Sequence, residues 1–214
     1  MMRTSRLEAF SDGVLAIIIT IMVLELKEPH GDDFAALWRT TGTGLLSYLL
    51  SFAYVGLYWN NHHHMFQLTE RVTGGVLWAN LGLLFCLSLF PFSTSWADDT
   101  GYARTPVVAY GLNLLIAAIA YFILQSVIIR SQGRDSVLRR AIGRDIKGKL
   151  SPVLYCAGIG GAILGGDGTG AGRPGIWVAV GFYVLVAVFW IIPDRRIDRV
   201  IRDQSPAGPA DGSG

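Results

Sequence analysis

The chain has 214 residues, of which 51% are hydrophobic and only 16% are charged. Soluble domains carry about a quarter charged residues, and the apolar residues here lie in long blocks, which excludes a water-soluble globule, a disordered chain and a fibrous repeat. The net charge of +2 is too small to indicate a nucleic-acid partner. The two cysteines lie within apolar runs and indicate neither a disulfide framework nor a zinc site. The composition predicts a membrane protein with several spans.

Six apolar blocks are candidates for spans, since a helix needs about 20 mostly apolar residues to cross the hydrocarbon core. In chain order they are Leu7–Leu26, Thr43–His62, Gly75–Ala97, Val107–Ile129, Leu150–Gly166 and Ile176–Ile192. We therefore predict an all-α membrane protein, with one six-helix domain over residues 1–202. Residues 203–214 are rich in Gly, Pro, Ser and Asp, which is typical of a disordered tail.

The lysines and arginines are distributed unequally between the two sides that six spans define. Fourteen lie on the side of both termini and four on the other side, so the positive-inside rule predicts that both termini are cytoplasmic. Half of the fourteen lie in the connection Arg130–Lys149. This segment is interpreted as a topology determinant. Contact with anionic lipids is the alternative, because each basic residue near such a surface contributes about 1 kcal/mol.

The first block carries most of the functional information, because polar groups within spans are costly and therefore tend to be functional. Helical spacing places five residues on one stripe, a lone hydroxyl among small and aliphatic side chains: Gly13, Ile17, Thr20, Ile21 and Leu24. Spacing alone favours packing of this stripe against neighbouring helices. Arg6 and Asp12 are six residues apart and lie on different helix faces, so each is expected to find its partner on another helix or another subunit.

Polar residues in the second and third blocks offer little for catalysis or metal binding. The adjacent histidines 62–64 cannot all reach one ion, because neighbouring helical side chains point about 100° apart. We expect one of them to face the bundle and to hydrogen-bond the cluster of Arg6, Ser11 and Asp12, with the others at the membrane interface. In the third block, Pro91 is expected to kink the helix. No nucleophile–base pair or cofactor motif is visible, so the sequence predicts no enzyme, no cofactor and no metal site.

One ordered set of motifs resembles a known family. Arg-x-x-x-Phe-Ser-Asp, here Arg6 to Asp12, is the hallmark of the transmembrane protein 175 family, potassium channels of animal endosomes and lysosomes with shorter bacterial relatives. Further matching segments follow in order: Trp59-Asn60-Asn61-His62 with Phe66, then Asn80-Leu81, then Leu89-Phe90-Pro91-Phe92. The resemblance covers about the first hundred residues specifically.

The resemblance implies a six-helix subunit of the bacterial form, in the inner membrane, with four copies around a central pore lined by the first helix. It assigns the narrowest constriction to Ile17, further apolar layers to Ile21 and Leu24, and a role in selectivity to Thr20. It also implies a polar network at the base of the pore helix. The residues of that network are Arg6, Phe10, Ser11, Asp12, His62 and Asn80.

The chain lacks the Thr-Val-Gly-Tyr-Gly filter, so a ring of backbone carbonyls cannot dehydrate potassium. We therefore expect a narrow apolar neck that gates by dewetting. A proton-coupled or small-solute transporter is the alternative, but it predicts a matching pair of interrupted spans, which the sequence does not display. A metalloenzyme that uses the histidines and a passive scaffold are further alternatives.

Overall fold

The structure is a computed structural model that describes residues 3–133, 136–142, 146–165 and 173–191. The described chain is all-helical, which confirms the predicted all-α class. In chain order the helices are α1 (Thr4–Leu24), α2 (Phe34–Gln67), α3 (Gly74–Ser88), α4 (Phe90–Asp99), α5 (Arg104–Gln132), α6 (Val137–Ile142), α7 (Ile146–Leu164) and α8 (Pro174–Ile191).

Over the described residues each predicted block lies mainly on helix, but the helix limits differ from the block limits. The largest difference is in α2, which begins at Phe34, nine residues before the predicted block. Asp33 explains this start, since its carboxylate accepts a hydrogen bond from the Ala36 amide at 2.6 Å and so caps the helix. Hydropathy detects only the apolar part of such a helix, whereas a cap determines where it begins.

Four helical segments are long and apolar enough to cross a membrane: α1, α3 with α4 taken together, α5 and α8. α2 and α7 fall short by composition, because their apolar residues alternate with hydroxyl groups, histidines, lysines or glycines. The molecule is therefore a membrane-embedded helical protein on the evidence of these four segments.

The third predicted block consists of two helices that meet at Leu89. Pro91 lies in the first turn of α4, where its missing N–H removes no hydrogen bond and its fixed φ suits a helix start. The hydroxyls of Ser93 and Thr94 donate to the Phe90 carbonyl at 3.2 and 2.6 Å. The predicted kink is thus a change from one helix to another, and α4 is a separate ten-residue unit.

Glycines allow α7 and α8 to pack closely. A Cβ added at Gly158 would collide with the Tyr183 ring, and one added at Gly165 would collide with the backbone of Gly175. Such close approach of small residues is typical of helix pairs in membranes. The two helices also pack against α5, while α1 contacts α2, α3 and α4. α1 therefore lies on the opposite side of the bundle from the glycine-lined pair.

Some predictions fall on residues outside the described ranges. They include the tail 203–214, the end of the fifth block at Gly166, the end of the sixth at Ile192 and parts of the basic connection Arg130–Lys149.

Candidate pore helix and its polar support

α1 has two faces of different character. Its inward face is buried against α2, α3 and α4 and comprises Leu7, Ser11, Leu15, Ile18 and Met22. Its outward face carries the stripe expected from helical spacing, namely Gly13, Ile17, Thr20, Ile21 and Leu24, all of which are exposed in the single chain. Steps of mostly three or four residues produce both stripes, since each follows the 3.6-residue period.

The outward stripe is not part of the core of the chain. Ile17 is 58% exposed, Ile21 41% and Leu24 80%. Packing against neighbouring helices, which spacing alone favours, would therefore have to involve helices of another copy. In the membrane the stripe must face lipid, another copy of the chain or a pore.

Thr20 carries the hydroxyl of the stripe, and this hydroxyl donates its proton to backbone carbonyls of α1. The hydroxyl donates to the carbonyls of Ala16 at 3.1 Å and Ile17 at 2.9 Å. Since a hydroxyl has one proton and two acceptor lone pairs, its oxygen remains able to accept from water or to coordinate a cation on the exposed side.

A groove of about 530 Å³ runs between α1 and α4 beside the stripe. Its α1 wall includes Ile17 and Ile21, and its α4 wall includes Phe92, Ser95 and Trp96. Both walls are mostly apolar. α4 therefore forms the second wall of the space into which the stripe faces.

Acidic side chains lie at the end of the groove where α1 ends. Glu25 and Asp99 both line it there. Lys27 forms an ion pair with Asp99 at 2.9 Å, with both side chains about half exposed. The hydrogen bond and the charge of Asp99 raise the pKa of Lys27 above its ordinary value. Lys27 is thus a cation at every physiological pH and offsets one of the acidic groups.

Buried polar contacts connect α1 to α2 and α3 near the other end of the helix. The Asn80 side-chain nitrogen donates to Ser11 Oγ at 2.9 Å, and Ser11 donates to the Leu7 carbonyl at 2.9 Å. Because its nitrogen is engaged by Ser11, Asn80 presents Oδ1 to His62, whose Nε2 donates to it at 2.8 Å. Three helices are thus joined through one asparagine, and all three side chains are at most 1% exposed.

His62 has a single partner in this network. Its ring stacks on Phe66 with centroids 4.3 Å apart, and its Nδ1 is buried without a hydrogen-bond partner among the described residues. The tautomer with the proton on Nε2 fits these contacts, because it leaves an acceptor rather than a donor at the buried nitrogen.

A second, partly exposed set of contacts joins α1 to α2 outside the buried network. Trp59 Nε1 donates to Asp12 Oδ1 at 3.0 Å, and His63 Nδ1 lies 2.7 Å from Glu8 Oε1. Trp59 and His63 stack with an interplanar angle of 15°. Sequence reasoning missed Glu8, Trp59 and His63 as partners, although the i, i+4 spacing of Glu8 with Asp12 and of Trp59 with His63 was visible.

The structure divides the residues of the predicted network into three groups. Ser11, His62 and Asn80 are joined by hydrogen bonds, and Asp12 bonds Trp59 instead. Arg6 and Phe10 face outward; neither bonds a side chain in the part of the chain that is described, and Phe10 is 51% exposed.

The three histidines do not converge. His62 is buried against Asn80, while His63 pairs with Glu8. Across the described residues, no group of three or more His, Cys, Asp or Glu side chains is placed to hold a metal ion.

The chain is all-helical, and several of its segments are long and apolar enough to cross a membrane. Polar contacts fix α1 in the bundle while its uncharged stripe faces outward. These features define the class of membrane-embedded helical proteins. The sequence profile described as "Endosomal/lysosomal potassium channel TMEM175" matches residues 6–91. A protein named potassium channel from Chryseobacterium sp. (strain P1-3) is 50% identical over 202 residues, which cover 94% of this chain and all of that protein. The chain belongs to the TMEM175 family, a family of ion channels rather than enzymes.

Two further relatives extend the comparison. The human protein named "Endosomal/lysosomal proton channel TMEM175" is 38% identical over 115 residues, which are 47% of this chain and 22% of that protein. The crystal structure of a lysosomal potassium-selective channel TMEM175 homolog from Chamaesiphon minutus is similar with a TM-score of 0.69 and 26% identity, covering 88% of this chain and 96% of that one. The fold of this chain is that of a TMEM175 channel.

Proposed function

We propose that four copies of this chain form a potassium-permeable cation channel in a bacterial inner membrane, with α1 of each copy lining a central pore. In this proposal each chain crosses the membrane six times and has both termini in the cytoplasm. The observation that carries it is the outward exposure of the stripe on a helix whose opposite face is fixed in the bundle.

The composition of the stripe favours a pore over a lipid contact. A lipid-facing helix surface gains nothing from a glycine or a hydroxyl, whereas this stripe holds Gly13 and Thr20 between its aliphatic residues. The Thr20 hydroxyl donates to its own helix and so offers oxygen lone pairs outward. Four copies would form a ring of such oxygens, able to replace part of the hydration shell of an ion.

Ile17 supplies the neck in this proposal. Rings of branched aliphatic side chains form constrictions that exclude water unless they widen, and such constrictions gate by dewetting. A neck of this kind would conduct slowly and would favour potassium over sodium, because potassium releases its hydration water more easily. Ile21 and Leu24 would add further apolar layers on the same stripe.

Charge at the ends of the stripe supports passage of cations rather than anions. Glu8 and Asp12 lie near the start of α1, and Glu25 follows its end, whereas none of the five stripe residues is charged. Arg3 and Arg6 balance the charge of Glu8 and Asp12 at the start, so fourfold repetition would place an acidic ring only at the end that Glu25 follows. Such a ring concentrates cations at a channel mouth.

Proton permeation is the second candidate, alone or coupled to a solute, and the name of the human relative favours it. In this chain a hydrogen-bonded series runs from His62 through Asn80 to Ser11 on the pore helix. The series lacks a continuation at His62 Nδ1 within the described residues. This favours a structural role for it over proton transfer.

The experiment is potassium flux from proteoliposomes, with sodium as the comparison ion, valinomycin as the full-release control and a pH-sensitive dye inside the vesicles. We expect release of potassium above that of empty liposomes and faster than that of sodium. Proton movement without potassium release would favour the second candidate. A well-behaved oligomer that passes neither potassium nor protons would contradict the channel proposal.

Ile17→Asn locates the neck, because an amide at the constriction holds water there. We expect faster flux and a lower preference for potassium. The matched control is Ile119→Asn, since Ile119 is an exposed isoleucine of α5 at 45%. Equal flux and equal ion preference in the two variants would contradict the placement of the neck at Ile17.

A further inference from the structure

A pocket of about 310 Å³ lies between α2, α4, α5 and α8, on the side of α4 away from the pore-side groove. We call it the α2–α8 pocket. Its lip carries exposed apolar side chains of α2 and α8: Leu46 is 55% exposed, Trp177 55% and Val184 41%. The pocket therefore opens sideways, toward the hydrocarbon that surrounds a membrane-embedded protein.

The walls of the pocket carry hydroxyl groups that already have partners. Ser51 bonds Thr94 at 2.7 Å and Tyr110 at 3.0 Å, and Ser47 bonds Tyr102 at 2.5 Å. Water is held in buried sites by two to four polar partners, and these hydroxyls have little capacity left for it. None of the described residues that line the pocket is charged. An apolar chain is thus the occupant that this wall fits.

The rim of the pocket lies at the level where the spans end. Tyr102 stands in the connection between α4 and α5, and Trp177 lies in the first turn of α8. Tyr and Trp are enriched at this depth, where the glycerol esters and head groups of lipids lie. Arg173 donates to the Tyr102 carbonyl at 3.0 Å, which holds its guanidinium at the rim. A positive charge beside an apolar pocket complements a phospholipid, with its phosphate at the rim.

From this geometry we infer that the α2–α8 pocket binds one acyl chain of a bilayer phospholipid, in the leaflet opposite the chain's N-terminus, with the phosphate near Arg173. Thr94 and Ala97 of α4 face this pocket, while Phe92, Ser95 and Trp96 of the same helix face the groove beside the stripe of α1. The bound acyl chain therefore packs against the side of α4 that faces away from the groove beside α1. Occupancy of the pocket affects ion flux, and this second part rests on the proposed channel function.

The binding test uses the full chain in vesicles of phosphatidylethanolamine and phosphatidylglycerol that contain a phospholipid with a diazirine on its acyl chain. After irradiation, mass spectrometry of peptides locates the label. We expect enrichment on residues of the pocket, such as Leu46 and Val184, over other exposed apolar residues. Uniform labelling of the outer surface would overturn the inference, and so would protection of the pocket by a second copy of the chain.

Val184→Trp fills the lip, and Val188→Trp is its matched control one turn further along α8, outside the pocket and 49% exposed. We expect a several-fold loss of pocket label in the first variant and none in the second. Both side chains are exposed, so neither change disturbs the core. If the first variant does not purify as a single species, Ser47→Leu narrows the pocket from the α2 side and serves in its place.

Two further readouts separate the parts of the inference. Arg173→Gln is expected to lower labelling, and unchanged labelling would overturn the assignment of the phosphate. Potassium flux is expected to change in Val184→Trp but not in Val188→Trp. Loss of label with unchanged flux would overturn the link through α4 while leaving the binding site intact. Labelling does not depend on conduction, so failure of the channel proposal is seen separately.

Discussion

Asn80→Ala tests whether the buried polar contacts fix the pore helix in the bundle. The substitution removes the acceptor of His62 Nε2 and the donor to Ser11, which are bonded at 2.8 and 2.9 Å. Both partners are buried, so no bulk water replaces the lost bonds. We expect lower stability, because His62 Nε2 loses its partner and Ser11 Oγ, which still donates to the Leu7 carbonyl, loses the donor from Asn80.

The magnitude follows from the two bonds. A buried polar group left unpaired costs about 1–3 kcal/mol, but interhelical hydrogen bonds in membranes average only about 0.6 kcal/mol. The two bonds together therefore contribute around 2 kcal/mol. For a chain of this size 1 kcal/mol corresponds to about 2–4 °C, so the unfolding temperature is expected to fall by about 4–8 °C.

The assay is thermal unfolding of purified protein followed by size exclusion. Asn60→Ala is the matched control, since Asn60 is an exposed asparagine of α2 with no side-chain hydrogen bond in the described structure. Ser11→Ala removes one of the two bonds and is expected to cost about half as much. The free energy of unfolding of the double variant Ser11→Ala/Asn80→Ala should then lie within about a few tenths of a kcal/mol of that of Asn80→Ala. Equal unfolding temperatures for Asn80→Ala and Asn60→Ala would refute the reasoning.

Three further changes address the pore helix and its ends. Thr20→Val keeps the shape of the side chain and removes the hydroxyl. The potassium-to-sodium permeability ratio, obtained from reversal potentials or fluxes, should fall, and an unchanged ratio would exclude a hydroxyl ring. Asp12→Asn weakens the bond from Trp59, so oligomer yield should drop while ion preference in the surviving protein stays normal; a normal yield with normal flux would contradict that role. Lys27→Gln removes an exposed ion pair and should change the unfolding temperature little. Because folding raises the pKa of Lys27, any stabilisation by the ion pair is complete at neutral pH and disappears only as the pH rises beyond the ordinary lysine range. A difference in unfolding temperature between the unsubstituted chain and Lys27→Gln that grows with pH would contradict this.

The two faces of α1 could be predicted because a helix has a fixed period. Ile17 and Thr20 lie on one stripe as spacing indicates, although spacing alone favoured packing rather than the exposure seen in the single chain, and the break at Leu89 follows from Pro91 two residues later. Both features depend on residues that are near each other in sequence. Whether the exposed stripe lines a pore depends on contacts between copies, which remain a prediction.

The partners of the polar residues could not be predicted in the same way. Asp12 was expected in one network with Ser11 and His62, but adjacent residues of a helix point about 100° apart. Ser11 therefore faces the bundle, while Asp12 lies at its edge and meets Trp59. Which of several asparagines reaches Ser11 depends on how α2 and α3 cross α1. No local pattern in the sequence contains that angle.

α1 is attached differently along its length. Near its start it is held at Ser11 by buried hydrogen bonds, whereas Leu15, Ile18 and Met22 hold the rest of the helix by aliphatic contacts, and the exposed ion pair of Lys27 with Asp99 follows its end. With a rise of 1.5 Å per residue, Leu24 lies about 20 Å beyond Ser11 and Ile17 about 9 Å. A tilt of about 5° about Ser11 therefore displaces Leu24 by about 2 Å and Ile17 by less than about 1 Å. A tilt about Ser11 would thus move the far end of the stripe most and the turn beside Ser11 least.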